Sequence, residues 1–183
     1  MPTVLIPLAQ GCEELEAVTV IDLLRRAGIE VVTAGLDEQP VIAARGTRLL
    51  PDTTLATALQ RDYDMVVLPG GLSGADNLDK DPRVRALLQR MAQQEKFTAA
   101  ICAAPKVLAS AGLLAGKRAT AFPGVLEKLN LGDVRLSSDS VVKDGKVITS
   151  RGPGTAMDFT LELIELLVGR EKREQVEAAL QRS

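Results

Sequence analysis

Histidine is absent from this chain of 183 residues, so no thiol or hydroxyl in it can be activated by an imidazole. That excludes the Cys-His and Ser-His-Asp hydrolase arrangements and removes the commonest proton shuttle and metal ligand. Tryptophan is also missing, and one Tyr with three Phe leave no platform on which nucleic-acid bases stack. Lys and Arg are dispersed rather than clustered and the formal charge is only −2, which argues against sequence-specific nucleic-acid binding. No apolar run approaches the roughly 20 residues that span a bilayer, so no membrane association is expected. Met1-Pro2-Thr3 lead straight into an apolar segment without the basic flank of a signal peptide, and the expected setting is the cytoplasm. The two cysteines, Cys12 and Cys102, are too few for a disulfide framework and, without histidine, make a poor zinc site. Both are expected to be reduced, with no metal and no cofactor.

What is present is an α/β rhythm. Nearly half the residues are apolar, enough for one substantial core, and no linker, repeat or low-complexity tract divides residues 1–183, which read as one domain. Strands are expected at Thr3–Leu8, Ile29–Ala34, Met65–Leu68, Thr98–Ile101 and Arg118–Ala121, with an antiparallel excursion near Val41–Leu50 and a hairpin across Val141–Ile148. Helices are expected at Glu14–Ala27, Pro82–Glu95, Ala103–Ala111, Thr155–Val168 and Glu171–Gln181. Runs such as Met65-Val66-Val67-Leu68 are continuously apolar, as parallel strands covered on both faces must be. The fold class is therefore α/β, a three-layer αβα sandwich.

In an open parallel sheet, chemistry gathers beyond the carboxyl ends of the strands. Four segments share that address: Gly11–Glu16, Pro69–Gly71, Cys102 and Ser150–Gly154. Cys102 stands at a strand-to-helix elbow, where the first turn of a helix is expected to lower its pKa; the plain alternative is a small buried cysteine. Gly70 and Gly71 suit a backbone that approaches a ligand closely and aims amides at an oxygen, or simply an ordinary turn. Glu13, Glu14 and Glu16 open a helix, where carboxylates suit the dipole. Glu16, one turn in and flanked by apolar residues, can also face the cleft as a protonated carboxyl beside the thiol. Cys12 is either a resolving thiol for Cys102 or a small loop residue. Arg151–Gly154 reads mainly as scaffolding. The first helix carries Leu15, Ala17, Val18, Val20, Ile21, Leu23, Leu24 and Ala27 around more of its circumference than one sheet contact needs, which calls for a second apolar partner.

Gly11-Cys12-Glu13-Glu14-Leu15-Glu16-Ala17-Val18, Leu68-Pro69-Gly70-Gly71, Ala100-Ile101-Cys102-Ala103-Ala104-Pro105 and Thr149–Thr155 together resemble the ThiJ/PfpI superfamily, in order and over nearly the whole chain. Within it they resemble the branch of the Parkinsonism-associated protein deglycase and bacterial YajL. The resemblance implies a flavodoxin-like, mostly parallel sheet and a homodimer, read here through helix 14–27. It also implies catalytic Cys102 with partner carboxyl Glu16. Oxyanion or substrate contacts are implied at Gly70, Gly71, Ala103 and Arg45, the last resembling an arginine that reaches a neighbouring subunit's site. The chain departs from protease-like relatives by carrying Ala103 after the cysteine, and from others by carrying Phe122 where they have a histidine.

The activity so implied is a cofactor-independent conversion of methylglyoxal or glyoxal to lactate or glycolate, with deglycation of glycated side chains or nucleotides. Its partners are then small aldehydes or glycated side chains. The alternative is an oxidative-stress sensor or chaperone that works through oxidation of Cys102.

Overall fold

Val4, Leu5 and Ile6 are fully buried although successive side chains of a strand point to opposite faces, so the first strand has protein on both sides. A computed structural model describes residues 1–182. In chain order they form β1 (Thr3–Leu8), α1 (Glu14–Arg26), β2 (Glu30–Gly35), β3 (Val41–Ile42), β4 (Arg48–Leu49), β5 (Thr53–Thr54), α2 (Leu55–Ala58) and β6 (Met65–Leu68). There follow α3 (Leu72–Lys80), α4 (Pro82–Gln93), β7 (Phe97–Ile101), α5 (Pro105–Ser110), β8 (Arg118–Ala119) and β9 (Arg135–Leu136). The chain closes with β10 (Val141–Asp144), β11 (Val147–Ser150), α6 (Ala156–Val168) and α7 (Arg170–Ala179).

The central sheet has seven strands in the order β10-β11-β7-β6-β1-β2-β5, parallel throughout except for β10, which pairs antiparallel with β11. Val66 and Leu68 pack on one face with Leu78 of α3, Leu87 of α4 and Leu108 of α5. Met65 and Val67 pack on the other with Val20 of α1 and Phe159 of α6. The expected sandwich with a parallel sheet is thus present, its two cores divided by the alternating side chains of one sheet. No helix among the described residues is long and apolar enough to cross a membrane.

The expected helices start and stop where their caps dictate, with two departures. Glu13 caps α1 by accepting the Glu16 amide at 2.8 Å, and Asp81 caps α4 ahead of Pro82. The helix expected from Ala103 begins instead at Pro105, so Cys102, Ala103 and Ala104 form a turn outside it. The second departure is that α2 and α3 occupy stretches where no element is expected.

Candidate active site

Cys102 follows the last residue of β7 with φ at +63°, a conformation that costs a non-glycine residue about 1–2 kcal/mol. Hydrogen bonds on both sides hold it there. Its amide donates to the Ser150 carbonyl at 3.0 Å, and its carbonyl accepts the Phe122 amide at 2.8 Å. This is the sharp strand-to-helix elbow expected from the sequence, and it leaves the side chain half-buried beyond the carboxyl end of β7.

Glu16 is fully buried one turn into α1. Its Oε2 accepts the Gly70 amide at 2.8 Å, and Oε1 is buried without a partner. Gly70 makes the approach possible. A Cβ there would lie 2.6 Å from both Cys102 Cβ and Glu16 Oε2 and 2.8 Å from the Ile101 carbonyl oxygen. Gly71, with φ at +83°, is locked by the loop after β1, since a Cβ would meet the Gly11 oxygen at 2.5 Å and the Glu13 nitrogen at 2.7 Å. Three strand ends are thereby pressed together, with the Glu13 amide donating to the Gly70 carbonyl at 2.9 Å.

Two expectations are corrected by this geometry. Gly70 cannot supply an oxyanion donor, because its amide is bonded to Glu16. The amides that favour a thiolate at Cys102 are those of Gly71 and Ala103. The thiol is also not lowered. Burial, and after it the charge of Glu16, push Cys102 up to about 12 against those two amides. It lies outside a helix of only six residues, so the dipole has little to offer it. Burial is likewise the main cause that pushes Glu16 up to about 7, against the Gly70 amide and the thiol. The pair therefore shares its protons, with Glu16 poised to hold or release one near neutrality.

A pocket of about 580 Å3 opens above the sulfur. Gly71, Cys102 and Ala103 line it together with Leu72, Phe122, Val125 and Leu129, while Arg45, Lys106 and Lys128 bring cations and Glu13 a carboxylate. Arg45 thus stands at the pocket of its own chain, placed by its amide donating to Glu14 Oε1 at 2.8 Å. Lys106 is tied to Asp76, joining α5 to α3. Lys106, Leu72 and Leu129 escaped the sequence reading, although Lys106 lies four residues after Cys102 and Leu72 directly after the glycine pair. Cys12 is buried and outside the lining, its thiol pushed up to about 12 by burial and then by Glu14, Glu13 and Glu16. Ser150 Oγ donates to the Ser140 carbonyl at 2.6 Å and the Gly152 amide to Thr155 Oγ1 at 3.1 Å, a lock suited to the scaffolding read for Arg151–Gly154. Among the described residues, no three Cys, Asp or Glu side chains gather as they would around a metal ion. A separate cleft of about 530 Å3, by Gln10, Asn77, Lys80 and Arg83, is lined by no cysteine.

A model of the DJ-1/PfpI family matches residues 2–166. The chain belongs to the DJ-1/PfpI family. Among DJ-1/PfpI proteins, the Parkinson disease protein 7 homolog of Danio rerio is 45% identical over 179 residues, 96% of this chain and 95% of that one. The glutathione-independent glyoxalase DJR-1.2 of Caenorhabditis elegans is 37% identical over 163 residues, 89% of this chain and 87% of that one. The crystal structure of Drosophila melanogaster DJ-1beta superposes with a TM-score of 0.95 at 42% identity, covering 100% of this chain and 98% of the other.

Proposed function

We propose that this protein converts 2-oxoaldehydes such as methylglyoxal and glyoxal to 2-hydroxy acids by covalent addition to Cys102, without a cofactor. The observation that carries the reading is a buried carboxyl, Glu16, poised near pH 7 beside the only thiol in the pocket of a chain that has no imidazole. The likeness to a relative named as a glutathione-independent glyoxalase supports it.

In the first step the Cys102 sulfur bonds to the aldehyde carbon as its proton passes to Glu16 and on to the new oxyanion, which the Gly71 and Ala103 amides stabilise. Glu16 then takes the proton from that carbon and returns it to the neighbouring ketone carbon, while the hydroxyl proton passes to the ketone oxygen, turning the hemithioacetal into a hydroxy thioester. Water cleaves the thioester and restores the thiol. One carbon is oxidised and its neighbour reduced, so no external electron carrier enters. Removal of early glycation adducts from side chains or nucleotides is the same addition acting on aldehyde still in exchange with its adduct. The reaction belongs in the cytoplasm, where both free thiols stay reduced.

A second reading rests on the Gly71 and Ala103 amides, which favour negative charge at Cys102 and so suit the oxygens of a sulfinate and hence an oxidation sensor or stress chaperone. Lactate formation from methylglyoxal by the native chain and by Cys102→Ser separates the two. Many turnovers per thiol, lost in the variant, support the enzyme; lactate no faster than in the variant overturns it in favour of the sensor. The assembly proposed with this function is a two-fold dimer through α1, where Leu15 and Val18 are exposed and Ile21 half-buried at helical spacing.

A further inference from the structure

The pocket above Cys102 is larger and more apolar than a three-carbon aldehyde needs. Its volume of about 580 Å3 falls in the range of roughly 300–1,000 Å3 that encloses drug-sized ligands. Methylglyoxal brings one methyl group to cover that wall. The wall itself is unfinished: Phe122 is 50% exposed, Leu72 68% and Leu129 43%, all lining the one mouth. The Phe122 ring is fixed next to the nucleophile by its own backbone, whose amide donates to the Cys102 carbonyl at 2.8 Å. Gly152 lies behind it, where a Cβ would already stand 3.4 Å from the ring edge. The ring is therefore backed along one edge and half-exposed. Arg45 and Lys128 around the mouth suit the carboxylate that the reaction forms.

We infer that this site selects 2-oxoaldehydes bearing an aromatic or comparably bulky apolar substituent over methylglyoxal, and that Phe122 makes the selection. The inference rests on the reaction proposed above and names its substrate class. A phenyl substituent on the ketone carbon packs on the exposed part of the Phe122 ring and displaces water from Leu72 and Leu129, while the aldehyde carbon meets the Cys102 sulfur. With phenylglyoxal as the probe the atoms balance as for methylglyoxal: addition to sulfur, proton transfer between the two carbons through Glu16, and hydrolysis to mandelate and free thiol.

The test compares initial rates of mandelate and lactate formation by the native chain, Phe122→Ala and Phe122→Leu, with Cys102→Ser as the blank. The expected kcat/KM for phenylglyoxal exceeds that for methylglyoxal by about tenfold or more, the scale on which apolar pockets discriminate. Phe122→Ala lowers that ratio about tenfold, and Phe122→Leu, which keeps an apolar side chain, lowers it less. Thiol-dependent turnover of both aldehydes with no preference for phenylglyoxal overturns the selection and leaves the reaction standing. A preference that survives both variants overturns the role of Phe122. If neither aldehyde is turned over, the reaction itself falls, and the selection is read from alkylation of Cys102 by iodoacetamide. Protection by mandelate at a concentration about tenfold below that of lactate, lost in Phe122→Ala, supports the selection; equal protection, or none, overturns it.

Discussion

Glu16 carries the most exact consequences at the scale of one residue, because a carboxyl buried without a cation ties both activity and stability to pH. As the base that accepts the thiol proton it must be ionised, so kcat/KM is expected to rise about tenfold per pH unit below 7 and to level off above it. A flat profile between pH 5 and 8 would remove Glu16 from that role. Its folded value near 7 lies above the ordinary 4.5, so the folded chain binds more protons than the unfolded one between them. Stability from this group is present in full below pH 4.5 and is lost as pH rises through 7. Relative to Glu16→Gln, the native chain is expected to lose about 3 kcal/mol between pH 4 and pH 8, measured by urea unfolding. Parallel curves for the two chains would contradict the raised value. The residue types at this site were legible in the sequence, since Glu16, Gly71 and Cys102 each follow a strand end. The direction of the thiol's shift was not, because it comes from burial, which sequence spacing does not reveal. Nor was the occupation of the Gly70 amide, which depends on how closely two strand ends approach.

Among the elements, α3 shows why the sequence concealed part of the fold. Leu72-Ser73-Gly74-Ala75-Asp76-Asn77-Leu78 has a glycine, an asparagine and few apolar residues, so it lacks a strong helical stripe. Gly74 is there for packing: a Cβ would lie 2.6 Å from Cys12 Cα and 2.7 Å from the Cys12 nitrogen. Inside an ordinary exposed helix, Gly→Ala stabilises by about 1 kcal/mol. Here both obstructing atoms are backbone, and Gly74→Ala is expected to destabilise by about 2–3 kcal/mol instead. A higher unfolding midpoint in urea for the variant would show that α3 can move off the loop after β1. The strands were easier to anticipate, since β1, β6 and β7 are apolar on both faces. The late start of α5 was not, because Ala103 and Ala104 are good helix formers, and it is the elbow at Cys102 that keeps them out of the helix.

For the whole molecule, the sheet and its two helical layers follow from the pattern of apolar runs, whereas assembly depends on what that pattern leaves uncovered. Ala17, Val20, Leu23 and Leu24 of α1 are buried within the chain, and Leu15 and Val18 are 52% and 45% exposed. If the proposed dimer forms through this strip, the native chain sediments as a dimer and a Leu15→Glu, Val18→Glu double variant as a monomer. A native monomer would remove the proposal. The contrast between the two cysteines reaches the same scale by another route. Cys102 opens to the pocket, while Cys12, in the loop after β1, is buried in the core that also holds Val20 of α1 and Phe159 of α6. A thiol-counting reagent should therefore read one group per intact chain and two once the fold gives way, so that the rate at which the second appears is a clock for opening, set by the protein's own sequence without any added label.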